Sequence, residues 1–156
     1  MMRILAVSLM LLISSTAISQ PEADVQLRFE GYMAVFNAQD SERIARQFLS
    51  HPMTIRSGES VTTLNSVDES LQFMAQYFSQ LKQLGWTNSI VRATDVCAIS
   101  DAIVFLDNEY SRLKSDGTAI EPAVRRTLQV WQRVEGEWRI AAFYFHDEDI
   151  RVGCNK

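Results

Sequence analysis

The sequence predicts an α+β domain: helices packed on one face of a curved antiparallel sheet. Three observations carry that prediction. Apolar residues recur at helical spacing through the first half of the chain, and from Trp86 onward the period changes to two. The chain then closes on an aromatic-rich hairpin, Val124 to His146, that turns at Glu135-Gly136. A length of 156 residues suits one such domain, and 47% hydrophobic with 22% charged residues is the composition of a globular protein.

The first nineteen residues are set apart. Arg3 precedes an apolar run from Ile4 to Ile13, followed by Ser14, Ser15 and Thr16. Small residues Ala17 and Ser19 then stand at −3 and −1 of a cut before Gln20. This is the pattern of a secretory signal peptide, with a core too short for a stable membrane anchor. The expected mature domain is residues 20–156, exported to the periplasm or secreted. In an oxidising compartment Cys97 and Cys154 become candidates for a disulfide, while buried thiols are the alternative.

Each element follows in order. Val25, Phe29, Tyr32, Met33 and Phe36 share one helical face within residues 21–38. Asp40 or Ser41 caps a short second helix with apolar residues Ile44, Phe48 and Leu49, which ends at His51-Pro52. Met53–Arg56 and Ser60–Leu64 are short strands around a Gly58 turn. Ser66 and Glu69 make a capping box for a third helix carrying Leu71, Met74, Phe78 and Leu81 up to Gly85. Strands are expected over Trp86–Ala98, Ala102–Lys114, Val124–Val134 and Glu137–His146. A short turn at Glu135-Gly136 would pair Arg133 with Trp138, Trp131 with Ile140, Gln129 with Ala142, Thr127 with Tyr144, and Arg125 with His146. Neither hairpin face is polar enough for simple solvation, so one should meet the helices and the other a second subunit.

The run Tyr32-Met-Ala-Val-Phe-Asn-Ala-Gln-Asp40, the capped third helix and the closing VWQRVEGEWRI resemble the SnoaL-like branch of the nuclear transport factor 2-like superfamily, over about residues 22–146. The resemblance implies a sheet wrapped around helices as a cone with an interior pocket, and homodimers through the outer sheet face. The superfamily includes ketosteroid isomerase, dehydratases and polyketide cyclases, so the fold does not choose a reaction. Tyr32 lies eight residues before Asp40, where ketosteroid isomerase-like proteins place an oxyanion tyrosine. The general base of that pattern falls near Arg56, which stays protonated, and the second acid falls near Gln129, which is neutral. The histidines of SnoaL-like relatives fall around Ala142, Phe143 and Tyr144.

The candidate pocket residues are therefore Tyr32, Arg125, Thr127, Gln129, Tyr144 and His146, with Asp107 and Glu109 as further acids. Asp147-Glu148-Asp149 reads as a solvated charge run, and no phosphate loop, zinc motif or nucleophile motif occurs. No cofactor or metal is implied, and a net charge of −4 argues against a nucleic-acid partner. The expectation is an exported pocket protein that binds a small, largely apolar molecule. The alternatives are a cofactor-independent lyase or isomerase, using Tyr32 or Tyr144 with His146 or a strand acid, and a protein-interaction module.

Overall fold

A computed structural model of the chain describes residues 20–154, so the expected signal peptide, residues 1–19, lies outside the described residues. Helix α1 (Gln20–Asn37) buries Val25, Phe29, Tyr32 and Phe36, the stripe its spacing predicts. Its last residue, Asn37, clamps the sheet: its amide donates to the Ser89 carbonyl (2.9 Å) and accepts from the Ser89 N–H (2.8 Å). Asp40 caps α2 (Ser41–Arg43), accepting from the Arg43 N–H. That turn widens into a π-helical stretch, Ile44–Phe48, which buries Ile44, Ala45 and Phe48. Strands β1 (Leu49–Ser57) and β2 (Ser60–Leu64) follow, with Gly58 at positive φ between them.

Helix α3 (Val67–Gln83) is capped by the Ser66 hydroxyl, which accepts from the Glu69 N–H (3.2 Å). The Glu69 carboxylate reaches back to the Asn65 N–H (2.8 Å), one residue beyond the expected capping box. Beyond Gly85, strands β3 (Trp86–Ser100), β4 (Ile103–Lys114), β5 (Arg125–Val134) and β6 (Glu137–His146) run as an antiparallel meander.

The six-stranded sheet has the order β2-β1-β6-β5-β4-β3. It is mixed rather than wholly antiparallel, because β1 lies parallel to β6. The wide separation of these two strands in sequence makes their pairing invisible to strand-by-strand reading. The α+β cone architecture is as expected: the sheet curls around α1 and α3, and the core between them is built from residues such as Phe29, Phe36, Phe78, Trp86, Trp131 and Ile140.

The hairpin register agrees with expectation near its turn and departs from it further out. Glu135 (φ 52°) and Gly136 (φ 87°) both take left-handed conformations, the two-residue turn that suits strand twist. Arg133 pairs with Trp138 and Trp131 with Ile140. Beyond them Val130 faces Ala142, so Ala141 is an extra residue on β6. This bulge moves Phe143 opposite Gln129 and Phe145 opposite Thr127. Tyr144 and His146 are carried to the other face of the sheet.

Candidate functional site

Between α1, α3 and the inner sheet face lies a cavity of about 90 Å³. That is well above the ~15 Å³ one water needs, so a small organic molecule can enter. Its apolar wall includes Phe36, Phe73, Met74, Ile55 and Phe143. The sheet contributes polar groups from neighbouring strands: Ser89 on β3, Asn108, Tyr110 and Arg112 along β4, and Thr127 and Gln129 along β5. Alternation explains this grouping, since residues two apart on a strand share a face. Tyr32 enters from α1 and Tyr77 from α3.

Several of these polar groups lack a complete set of partners. The Oδ1 of Asn108 is buried without a hydrogen bond among the described residues. The Tyr32 ring packs against Phe29, Phe36, Phe48 and Phe143, and its hydroxyl bonds to none of the described residues. Burial pushes the Tyr32 phenol far above its ordinary range, with Tyr77 and Tyr110 adding to the rise. Burial raises Tyr77 as well, against the opposing pull of Arg112. Both phenols stay neutral and can donate a hydrogen bond. The Arg112 guanidinium stands over the rings of Tyr77 (5.3 Å) and Tyr110 (5.6 Å), and its Nη2 donates to the Tyr77 hydroxyl.

Of the residues expected at a pocket, Tyr32, Thr127 and Gln129 line the cavity together. Gln129 is tied to the core, its Oε1 accepting from the Trp131 indole (2.9 Å). Arg125 follows the same strand phase but stays at the margin, donating to the carbonyls of Ile120 (2.8 Å), Glu121 (2.7 Å) and Pro122 (2.5 Å). Its pKa is lowered by burial first and then by Arg112, so two guanidinium groups share this end of the sheet. Tyr144 and His146 do not reach the cavity, because the Ala141 bulge turns them outward. Asp107 and Glu109 also point outward, one residue out of phase with Asn108 and Tyr110.

The matches to known proteins agree with this architecture. The family model described as "NTF2-like protein (DUF6841)" covers residues 22–148. The chain belongs to this NTF2-like family. Its fold is similar to an NTF2-like protein of unknown function from Shewanella oneidensis MR-1, at 12% identity, covering 82% of this chain and all (100%) of that one, with a TM-score of 0.65. Aln2 from a Streptomyces species is similar at 15% identity, 86% and 96% coverage and a TM-score of 0.67. A Catenulispora acidiphila protein solved in complex with S-DNPA is similar at 15% identity, 79% and 90% coverage and a TM-score of 0.61. Comparison with curated proteins gives no match. At these identities the likeness is one of fold.

The opposite face of this NTF2-like sheet holds a second polar cluster, and it is saturated. Asp107 is fully buried, 0% exposed at its side chain, and pairs with Arg126 (3.0 Å). Its carboxylate also meets His146 Nε2 (3.0 Å) and accepts from the Val152 N–H (3.0 Å). Arg126 further pairs with Glu109 (2.5 Å) and donates from Nε to the Glu148 carbonyl (3.0 Å). Residues 147–154 thus leave β6 and cross β5 and β4 to reach β3. There Arg151 pairs with Asp95 (2.7 Å), and Cys154 is bridged to Cys97 with a Cα–Cα distance of 5.4 Å. His146, Asp107 and Glu109 are therefore groups that anchor a C-terminal strap. Of the acids in the Asp147-Glu148-Asp149 run, Glu148 contributes its backbone carbonyl. No group of three metal-ligating side chains occurs, and no helix is long and apolar enough to cross a membrane, among the described residues.

Sequence reasoning missed Asn108, Tyr110, Arg112 and Tyr77. The signal for Tyr77 was present: it lies one turn from Phe73 and one residue from Phe78, on the α3 flank beside the core stripe. For β4 the phase was ambiguous, because Ile103-Phe105 and Val104-Leu106 are equally apolar.

Proposed function

We propose that this protein binds a small, largely apolar molecule in the cone cavity, as an exported pocket protein. One observation carries the reading: a largely apolar cavity lined by polar side chains without protein hydrogen-bond partners, Tyr32 from α1 and Asn108 from β4 above all. A folded chain normally satisfies such groups, so their place in the lining of a cavity points to a ligand that satisfies them. The relative from Catenulispora acidiphila, which holds S-DNPA, lends support by fold. Export is part of the proposal and is supported by the pattern of residues 1–19 and by the Cys97–Cys154 bridge, which an oxidising compartment would preserve. A bound molecule at a hundred times its dissociation constant raises stability by about 2.7 kcal/mol. Thermal melts across a broad panel of small metabolites test this, and a panel that shifts nothing refutes it.

The lyase or isomerase alternative needs a base beside the oxyanion donors. Among the described residues lining the cavity none is a carboxylate or a histidine. His146 and a carboxylate do converge, but on the outer face and without Tyr32. Binding is the better-supported reading. Pairing of two copies through the outer face is also part of the proposal, over the half-exposed Phe105, Leu128, Val130 and Tyr144 that the strap's contacts leave. A monomer at every concentration in sedimentation would remove it.

A further inference from the structure

We propose that the molecule taken by this cavity is a small organic acid, its apolar body among Phe36, Phe73, Met74 and Phe143 and its carboxylate on Arg112. The proposal rests on the binding reading above and names the ligand class.

The contrast between two arginines carries it. Arg126, on the outer face, has a carboxylate on each terminal nitrogen and a carbonyl on Nε. Arg112, on the cavity side, forms no ion pair with any described residue. Its one hydrogen bond goes to a neutral phenol, and its Nε–H is buried with no acceptor. A guanidinium does not escape this by losing its proton. A half-buried permanent charge without a counter-ion is costly, and an anion that reached it would be bound strongly. Arg125 strengthens the demand. It lies close enough for the Arg112 charge to act on it, and its own hydrogen bonds go to three carbonyls, with Glu121 near enough to act on Arg125 but not paired with it. The chain as a whole carries a net charge of −4, so this end of the cavity is locally opposite in sign.

The rest of the cavity chooses among anions. A phosphate needs a dense cradle of donors, as a backbone nest or a cluster of cations supplies. Here the hydroxyl groups beside Arg112 are those of Tyr77, Tyr110 and Tyr32, the terminal nitrogens of Arg125 are already committed to carbonyls, and the opposite wall is aromatic and apolar. Two or three donors and a greasy wall suit a singly charged, planar carboxylate on a hydrocarbon or aromatic body. Asn108, with its unpartnered Oδ1, would accept from a hydroxyl or amide on that body.

Titration calorimetry with benzoate, 3-phenylpropanoate and hexanoate, each against its neutral primary amide, tests this on the wild type, Arg112→Met and Arg112→Lys, with inorganic phosphate as a further probe. At least one acid should bind the wild type about tenfold or more tightly than its amide, the range of a charge-assisted hydrogen bond. Arg112→Met should abolish that preference, and Arg112→Lys, which keeps the charge, should retain part of it. Melting of each unliganded variant checks that it folds. If the amides bind as tightly as the acids, or Arg112→Met keeps the preference, this proposal falls while the binding reading stands. Tighter, Arg112-dependent binding of phosphate would also overturn the carboxylate assignment. If neither acids nor amides bind, this proposal falls, and the binding reading falls with it only when the broad thermal-melt panel also shifts nothing.

Discussion

Replacing Cys97 and Cys154 together by serine should cost this domain about 2–4 kcal/mol of stability, by the loop-entropy range for a native disulfide. The bridge joins positions separated by 57 residues, and closing a loop of that length in the unfolded chain corresponds to about 4 kcal/mol at 25 °C. This is an upper figure, because the strap that the bridge holds has few other anchors. Val152 N–H on Asp107 and the Glu148 carbonyl on Arg126 are shielded, whereas Arg151 with Asp95 is an exposed pair contributing ~0–1 kcal/mol. Once cut, residues 147–154 can fray, and the folded state then recovers entropy that offsets part of the loss. Urea unfolding followed by tryptophan fluorescence measures the effect. The urea dependence itself should steepen, since the uncrosslinked unfolded chain exposes more surface. Wild type in reductant should reproduce the variant. Because the strap lies on the face opposite the cavity, affinity for a cavity ligand should be unchanged. A loss under ~1 kcal/mol with an unchanged slope would refute the reasoning and mean that the strap is not closed onto β3.

Three other perturbations separate the two faces of the sheet. Asp107→Ala removes the acceptor shared by Arg126, His146 and Val152 and should destabilise by about 3–5 kcal/mol in urea unfolding, as loss of one partner from a buried ion pair does; a change below ~1 kcal/mol would contradict the geometry. Tyr32→Phe deletes a hydroxyl that hydrogen-bonds to no described residue, so the melting temperature should stay within the change expected for ~0.5 kcal/mol while affinity for a cavity acid falls several-fold. His51, whose Nε2 meets the Ser70 hydroxyl (2.9 Å), has its pKa lowered from 6.5 by burial and then by Arg139. Below pH 6.5 the unfolded chain therefore binds the proton more readily, and His51's contribution to stability is lost as pH falls from there through its folded value. His51→Gln should flatten the pH dependence of stability in that window, and an unchanged slope would count against it.

Much of the fold is legible in the residues, because long periodic segments and their punctuation agree. The α1 stripe, the Ser66 cap of α3 and the Glu135-Gly136 turn each have a local physical cause, and each stands where that cause puts it. The site is less legible, for two reasons that are also physical. A bulge adds one residue to a strand without changing its composition, so nothing in Ile140-Ala141-Ala142 announces that Tyr144 and His146 turn outward. On β4, apolar residues occupy both faces at its start, and the choice between Asp107-Glu109 and Asn108-Tyr110-Arg112 for the inner face depends on what covers the outer one. That cover is the strap, which pairing rules for strands do not describe.

The strap also explains how one sheet can hold a satisfied charge cluster and an unsatisfied one on opposite faces of the same two strands. The acids Asp107 and Glu109 stand on the outer phase of β4, opposite Leu128 and Arg126, where backbone from residues 148–152 seals Asp107 and Arg126 from water. The pleat then forces the inner phase of the same strand to carry Asn108, Tyr110 and Arg112, with no acid beside them. Were the arginine at 112 merely structural, the simplest solution would be the one found a strand away, a carboxylate at hydrogen-bond distance. Instead its neighbours are phenols that burial keeps neutral and a second guanidinium. Positive charge is concentrated against an apolar cavity in an otherwise acidic protein, and the missing negative charge is what a ligand would bring.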